Sequence, residues 1–265
     1  MSANKDDERF NDDAEKYAAY LGTPEGRLRL DLAFTNLQEY LPQATRPLRA
    51  LDIGGGTGAI ALRLARLGFH VTVLDSSLSM LDLARQAAQE AGVTDKIAIT
   101  HGEAADLESL FPTRSFDFIV CHNVLEFVDD PANVLCLAAR AMRNRSAVIS
   151  VLVRNHAGEV LKAAIHVGDL VMAERTLSSE WGEESLYGGR VRLFTPDGLR
   201  TVLNAASLAV IAERGVRVFS DYLPPQVCRT ADYERILQLE HKLGRRPEFA
   251  AIARYSQFLV RSADI

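Results

Sequence analysis

Cysteine is scarce in this chain of 265 residues. Cys121, Cys136 and Cys228 are odd in number and scattered, so neither a disulfide framework nor a Cys-x-x-Cys metal site is expected. That usage fits a reducing cytoplasm. Long apolar runs are also missing: none approaches the ~18 residues a membrane span needs. Met1 to Lys16 is rich in acids and has no apolar centre, so it does not read as a signal peptide. Cations do not dominate: 30 Lys and Arg face 35 Asp and Glu, a net charge of -5. A broad basic surface for gripping a nucleic-acid backbone is therefore not evident from the totals. His156 and His166 have no cysteine companions, and no metal is expected. There is no Gly-x-Ser-x-Gly elbow and no P-loop lysine motif, which argues against hydrolases and NTPases of those kinds.

What is present is a glycine-rich turn between two readable elements. The apolar run from Leu48 ends at Asp52-Ile53, then Gly54, Gly55, Gly56, Thr57 and Gly58 follow, and a helical pattern begins at Ala59. Glycines at such a turn allow positive φ and let a ligand approach bare main chain. His70-Val-Thr-Val-Leu-Asp75 reads as the next strand, and its acid stands 21 residues beyond Gly54. That spacing fits one βαβ unit with a carboxylate poised for two ribose hydroxyls. A nicotinamide or flavin site would show Gly-x-Gly-x-x-Gly and hold a pyrophosphate, whereas here an acid precedes the turn and Ala59 occupies the dinucleotide position. Asp52 repels a pyrophosphate and suits a cofactor with a cationic amine, such as the methionine part of S-adenosylmethionine.

The remaining pattern alternates. Helices are expected over Phe10 to Tyr20 and Pro24 to Leu41. Strands over Leu48 to Ile53, Val71 to Leu74, Lys96 to Thr100, Phe116 to Cys121 and Ala147 to Val153 are separated by helices over Ala59 to Leu67, Ser77 to Ala91 and Pro131 to Met142. This predicts an α/β fold with a doubly wound, mostly parallel seven-stranded sheet. After Val153 the rhythm changes. His156 to Arg175 reads as one helix and Thr176 to Arg192 as a polar, glycine-containing loop, a length that suggests a lid. Thr195-Pro196 starts another helix. Ser207 to Glu213 and Val216 to Ser220 look extended, Ala231 to Leu243 helical, and Tyr255 to Arg261 a final strand. The expected organisation is one domain: N-terminal helices (1–47), a cofactor-binding core (48–153), a lid insertion (154–194) and a C-terminal part of the sheet (195–265).

These residues resemble a known family. Asp52 to Gly58, Asp75, the Glu103-Ala-Ala-Asp106 loop and the Cys121-His-Asn-Val-Leu-Glu126 segment are similar to class I S-adenosylmethionine-dependent methyltransferases over roughly Leu48 to Val153. A narrower resemblance, to the bacterial tRNA 5-carboxymethoxyuridine methyltransferases, runs through Phe10 to Tyr17, Gly22 to Arg29, Cys121 to Val128 and Gly215 to Leu223. It implies that Arg29, Gly54, Gly55, Asp75, Ala104, Ala105 and His122 contact the cofactor, with Asp52, Gly56 and Gly58 completing the turn. A guanidinium such as Arg29 forks onto a carboxylate like that of methionine. It further implies tRNA as partner. The 176–194 segment departs from that family's lysine-rich pattern: it offers only Arg190 and Arg192 against Glu180, Glu183 and Glu184. Phosphate contacts need cations, so a small-molecule acceptor stays open beside tRNA. Arg214, Arg217, Arg245, Arg246 and Arg254 give residual cationic character to the C-terminal third.

His122 follows the fourth strand, where it could contact cofactor, position the acceptor or accept a proton. Arg217 could hold one oxygen of a carboxylate acceptor. Tyr187, Trp181, Asp221 and Tyr222 are candidates to face that acceptor, whereas Glu126 and Asp129 read as helix-start and turn acids. A dinucleotide oxidoreductase and a nucleoside-binding protein without catalysis are the rival classes. The sequence carries no sign of an oligomeric state.

Overall fold

The computed structural model describes residues 10–43, 46–184, 186, 188–223 and 232–263. Tyr187 and Cys228 lie outside the described residues.

Among the described residues, α1 (Ala14–Gly22) and α2 (Pro24–Gln38) precede the sheet. Thr23 separates them: its hydroxyl accepts from the Gly26 N–H and Pro24 takes the first turn, where no N–H is needed. Then come β1 (Arg49–Ile53), α3 (Ala59–Arg66), β2 (His70–Asp75), α4 (Leu78–Glu90), β3 (Ile97–His101), α5 (Leu107–Leu110), β4 (Phe118–His122), α6 (Pro131–Ala141) and β5 (Val148–Arg154). The chain continues with α7 (His156–Leu161), α8 (Leu170–Leu177), β6 (Trp181–Glu183), β7 (Arg190–Arg192), α9 (Pro196–Ala205), β8 (Leu208–Val216), α10 (Tyr233–Gly244), α11 (Pro247–Ala250) and β9 (Tyr255–Ser262).

Seven strands form one sheet in the order β3-β2-β1-β4-β5-β9-β8. The first five are parallel, and β9 runs antiparallel to both β5 and β8. The strands read as near-continuous apolar runs because both faces are covered. The period of two sends Leu51, Ile119 and Ile149 into the core shared with α6 and α9, and Ala50, Phe118 and Val148 into the core shared with α2 and α3. The strand order reverses between β1 and β4, so a crevice opens at their carboxyl ends.

Three expectations differ. His156 to Arg175 is not one helix: α7 passes into a π-helical turn over Lys162–Val167, and Gly168 at φ 76° breaks the path before α8. The polar stretch after it is not all loop, because β6 and β7 pair as a small hairpin with Trp181 opposite Arg192. Val216 to Ser220 is not extended; β8 ends at Val216, Arg217 takes φ 60°, and Ser220–Tyr222 forms a 3-10 turn.

Candidate functional site

At the carboxyl ends of the parallel strands lies a cavity of about 1250 Å³. Its first wall is the glycine turn. Gly54 and Gly56 line it at φ 60° and 52°, a region that disfavours side chains. A Cβ on Gly54 would stand 2.4 Å from Val124 Cγ2, and one on Gly55 would stand 2.9 Å from both Asp52 Cγ and Val73 Cγ1. Close packing, as well as backbone conformation, therefore demands glycine here. Gly58 lies off the cavity and caps α3 at φ 72° against Ala84.

Asp75 closes β2 and lines the cavity. Its oxygens accept from the Gly56 N–H at 2.8 Å and the Ser77 N–H at 2.9 Å, which holds the carboxylate beside the glycine turn. Ala104 and Ala105, in the 3-10 turn after β3, line the same wall with Gly102 and Glu103. Asp52 is 3% exposed and borders a small recess of about 50 Å³ that shares Tyr17, Arg29, Gly54, His122 and Asn123 with the main cavity. Burial and the neighbouring Asp75 push its carboxyl up to about 7, and Oδ2 has no hydrogen-bond partner.

Arg29 comes from α2, far from the glycine turn in sequence. It is 9% exposed, donates to Tyr17 Oη at 2.9 Å and Asn123 Oδ1 at 3.2 Å, and lies between the rings of Tyr20 and Tyr255 at 5.2 and 5.7 Å. No carboxylate pairs with it among the described residues. A buried guanidinium left with neutral partners is costly unless an anion arrives. Asn123, at φ 56°, is itself held in an unusual conformation beside the cavity.

His122 lines the cavity, and its Nε2 lies 2.8 Å from Ser150 Oγ. Burial and the Arg29 charge press its pKa down to about 3, so the ring is neutral at physiological pH. Glu126 is not a helix-start acid. It is 3% exposed, and one of its oxygens accepts from Asn123 Nδ2 at 3.0 Å and from the Arg154 N–H at 2.8 Å, with burial pushing its carboxyl up.

The opposite wall is a charge cluster around Tyr255. Burial raises the phenol, but Arg29, Arg154, Arg254 and Arg217 together bring it below its ordinary value. Arg217 pairs with Asp221, and Asp221 also lies 3.5 Å from Arg254. Glu159 pairs with Arg254 and, at 3.2 Å, with Arg154; Glu184 pairs with Arg154. Burial and the nearby Arg254 lower Lys162, which also lines the cavity. Three guanidiniums thus pair with three carboxylates, the Lys162 ammonium lies beside them, and the charge of Glu126 also acts on Arg154. Arg217 Nε and Tyr222 Oη are buried without a partner, and burial with Asp221 pushes the Tyr222 phenol up to about 12.

Of the acceptor candidates, Arg217, Asp221 and Tyr222 come together here; Tyr187 falls outside the described residues. Trp181 does not line the cavity. It sits on the hairpin, 38% exposed, with Arg190 and Arg192 over its ring at 4.9 and 5.3 Å. The five C-terminal arginines divide: Arg217 and Arg254 belong to the cavity, Arg214 and Arg245 pair with Glu39, and Arg246 is exposed at the start of α11. The sequence reading missed Tyr17, Tyr20, Asn123, Arg154, Lys162 and Tyr255, whose roles come only from convergence. No cluster of metal-ligating side chains occurs among the described residues, and none of their helices is long and apolar enough to cross a membrane.

Residues 51–150 match the family described as a methyltransferase domain. Over 264 residues, 96% of each chain, the protein is 32% identical to the tRNA 5-carboxymethoxyuridine methyltransferase of Escherichia coli (strain K12). The chain belongs to this family of methyltransferases. The methyltransferase is also 42% identical over 94 residues, 34% of its length and 36% of the relative's, to the ubiquinone/menaquinone biosynthesis C-methyltransferase of Rhodopseudomonas palustris (strain TIE-1). Solved structures share its fold. A Thermotoga maritima methyltransferase described as a possible histamine N-methyltransferase has a TM-score of 0.66 at 16% identity, covering 96% of this chain and 98% of the other. A Streptomyces caelestis methyltransferase has 0.62 at 19%, covering 96% of each. The methyltransferase is an enzyme with S-adenosylmethionine as cofactor, which sets aside the dinucleotide oxidoreductase and the non-catalytic binding protein.

Proposed function

We propose that this methyltransferase esterifies the carboxylate of 5-carboxymethoxyuridine in tRNA. The observation that carries the reading is the group of buried cations near Tyr255, Arg154, Arg217, Arg254 and Lys162, lining a cavity with room beyond the glycine wall. Near-full-length similarity to an enzyme named for that nucleoside supports the same acceptor.

The residues present fit the cofactor. Arg29, lacking a carboxylate partner, suits the methionine carboxylate; Asp52, with an orphan oxygen, suits the amine. Gly54, Gly55 and Gly56 form the main-chain cradle. Asp75 suits the ribose hydroxyls, and Ala104 and Ala105 suit the flank of the adenine. S-adenosylmethionine supplies an electrophilic methyl group on a sulfonium.

The protein's part is to align the nucleophile and exclude water. Arg217 and Lys162 would attract an ionised carboxylate, and Tyr222 Oη would donate to one of its oxygens, leaving the other as the nucleophile. A carboxylate is already ionised at neutral pH, so no general base is required. His122, neutral and nearly unable to hold a second proton, is suited to positioning.

A second reading, a small carboxylate metabolite as acceptor, is favoured by the 176–194 hairpin. Its two arginines already stack on Trp181 and its other charges are acidic, which leaves little to meet a phosphate backbone. One assay separates the two. Labelled cofactor is offered with tRNA carrying 5-carboxymethoxyuridine, with tRNA lacking that modification, and with a panel of small carboxylates. The proposal expects label only in the modified tRNA, lost as methanol under mild alkali and falling steeply with salt. Label in a small carboxylate alone overturns it.

A further inference from the structure

The sheet interior holds a polar chain that no step above uses. It begins at Asn36 on α2, passes through Gln257 on β9 and Ser150 on β5, and ends at His122. Asn36, Gln257 and Ser150 are all buried, the last two completely. Asn36 Nδ2 donates to Gln257 Oε1 at 3.0 Å. Gln257 Nε2 donates to the Ala33 carbonyl at 3.0 Å and to Ser150 Oγ at 3.0 Å. Ser150 Oγ lies 2.8 Å from His122 Nε2.

The direction of each bond follows from what the groups can do. A carbonyl oxygen only accepts, so Ala33 fixes which end of the Gln257 side chain is the NH2 group. Both of its protons are then committed, one of them to Ser150. The serine hydroxyl has a single proton of its own, and the acceptor that the structure gives it is His122 Nε2. The reverse arrangement, with Nε2–H donating to serine, strands a hydroxyl proton inside a closed sheet, where a polar group without a partner is penalised.

We propose that the Asn36–Gln257–Ser150 chain sets the tautomer of His122, committing the Nε2 lone pair to the serine hydroxyl and leaving the ring proton on Nδ1. His122 is then a positioning residue that offers a proton and cannot collect one. Its neighbour Arg29 acts in the same direction by opposing a cationic ring. The consequence is selectivity by protonation state. A hydroxyl or amine acceptor, which must lose a proton during attack or soon after, finds no base at His122. A carboxylate, which arrives ionised, needs none. This consequence rests on the carboxylate reading above; the tautomer itself does not.

The test is nitrogen–proton correlation spectroscopy of the full chain labelled with 15N-histidine, in the presence of S-adenosylhomocysteine at neutral pH. His122 is assigned by the signal lost in His122→Asn. The expected result is a neutral ring protonated at Nδ1, with Nε2 in the chemical-shift range of a hydrogen-bond acceptor. A ring protonated at Nε2, or an imidazolium, overturns the proposal. In Ser150→Ala, shown to be folded by its amide spectrum, the pure Nδ1–H signature is expected to give way to a mixture or to the Nε2–H form. Retention of the Nδ1–H form there would mean that another group sets the tautomer, and would overturn the role of the chain. No acceptor is present in either experiment, so the result stands apart from the acceptor assay. If the tautomer is as stated and a hydroxyl is nonetheless methylated, the carboxylate reading fails while the relay survives.

Discussion

The two walls of the cavity are built by opposite routes. The wall proposed for the cofactor takes Gly54, Gly56 and Asp75 from one short βαβ stretch, a main-chain turn whose Gly56 N–H is held by the Asp75 carboxylate. The wall proposed for the acceptor takes Tyr20, Arg154, Lys162, Arg217, Tyr222, Arg254 and Tyr255 from segments scattered between residues 20 and 255, and its character comes from side-chain charge. A wall made of backbone depends on conformation and close approach. A wall made of paired charges depends on balance, since removing one member leaves another buried and uncompensated.

The largest effect is expected from breaking that balance. Arg217→Ala removes a guanidinium and leaves Asp221 with only Arg254; kcat/KM should fall by about 100-fold or more, the loss typical of truncating a buried hydrogen-bonded ion pair. Calorimetric affinity for S-adenosylhomocysteine should stay within about twofold, and an equal loss there would erase the distinction between the walls.

Arg29→Ala makes the reciprocal cut. Losing a charge-assisted contact to a carboxylate costs about 1.5–3 kcal/mol, a ~10- to 100-fold weaker cofactor Kd. The acceptor KM, measured at saturating cofactor, should change little. A variant altered only in acceptor KM would move Arg29 to the other wall.

Glu240→Gln probes the scaffold of the acceptor wall. This buried carboxylate on α10 accepts from the N–H groups of Val218, Phe219 and Ser220 at 2.6, 3.0 and 2.8 Å, so it shapes the turn that carries Arg217 and Tyr222. An amide nitrogen facing one of those donors should cost about 1–3 kcal/mol in urea unfolding. It should also raise the acceptor KM more than the cofactor Kd.

The mildest expected effect concerns Asp52. Its folded pKa is raised from the ordinary carboxylate value to about 7, so its contribution favours the fold below about pH 4 and is lost as pH rises towards and through 7. Asp52→Asn should therefore raise the melting temperature of the cofactor-free protein at pH 8 by a few degrees, on the order of the shift 1 kcal/mol brings. If the cofactor amine docks beside Asp52, binding at neutral pH releases part of a proton from the wild type. Calorimetry in buffers of differing ionisation enthalpy should detect that release, and Asp52→Asn should abolish it.

Much of this was legible in advance because its signals are local. Asp52, the alternating glycines and Asp75 are fixed by the geometry of one strand, turn and helix, and each alternating strand was placed within two residues of its observed ends. The failures have physical causes. His156 to Arg175 keeps a helical pattern, yet the π-helical turn and Gly168 redirect it. Val216 to Ser220 has strand-forming residues, yet Glu240 draws three successive amides into a turn. Glu126 follows a strand like a helix-start acid but is buried between Asn123 and the Arg154 backbone. Tyr20 and Tyr255 carry no motif at all, Tyr17 only ends the Phe10 to Tyr17 segment, and only the approach of α1, α2 and β9 makes the three neighbours of Arg29.

By itself the sequence determined the doubly wound sheet, the glycine turn after β1 and the acid that closes β2, since hydrophobic period, turn chemistry and spacing act within a few dozen residues. The tertiary structure alone decided which arginines enter the cavity, which are spent on Glu39, and which buried hydroxyl lies against His122. Those outcomes depend on distance and burial between residues remote in the chain, where charge pairing and hydrogen-bond direction leave no trace in local pattern.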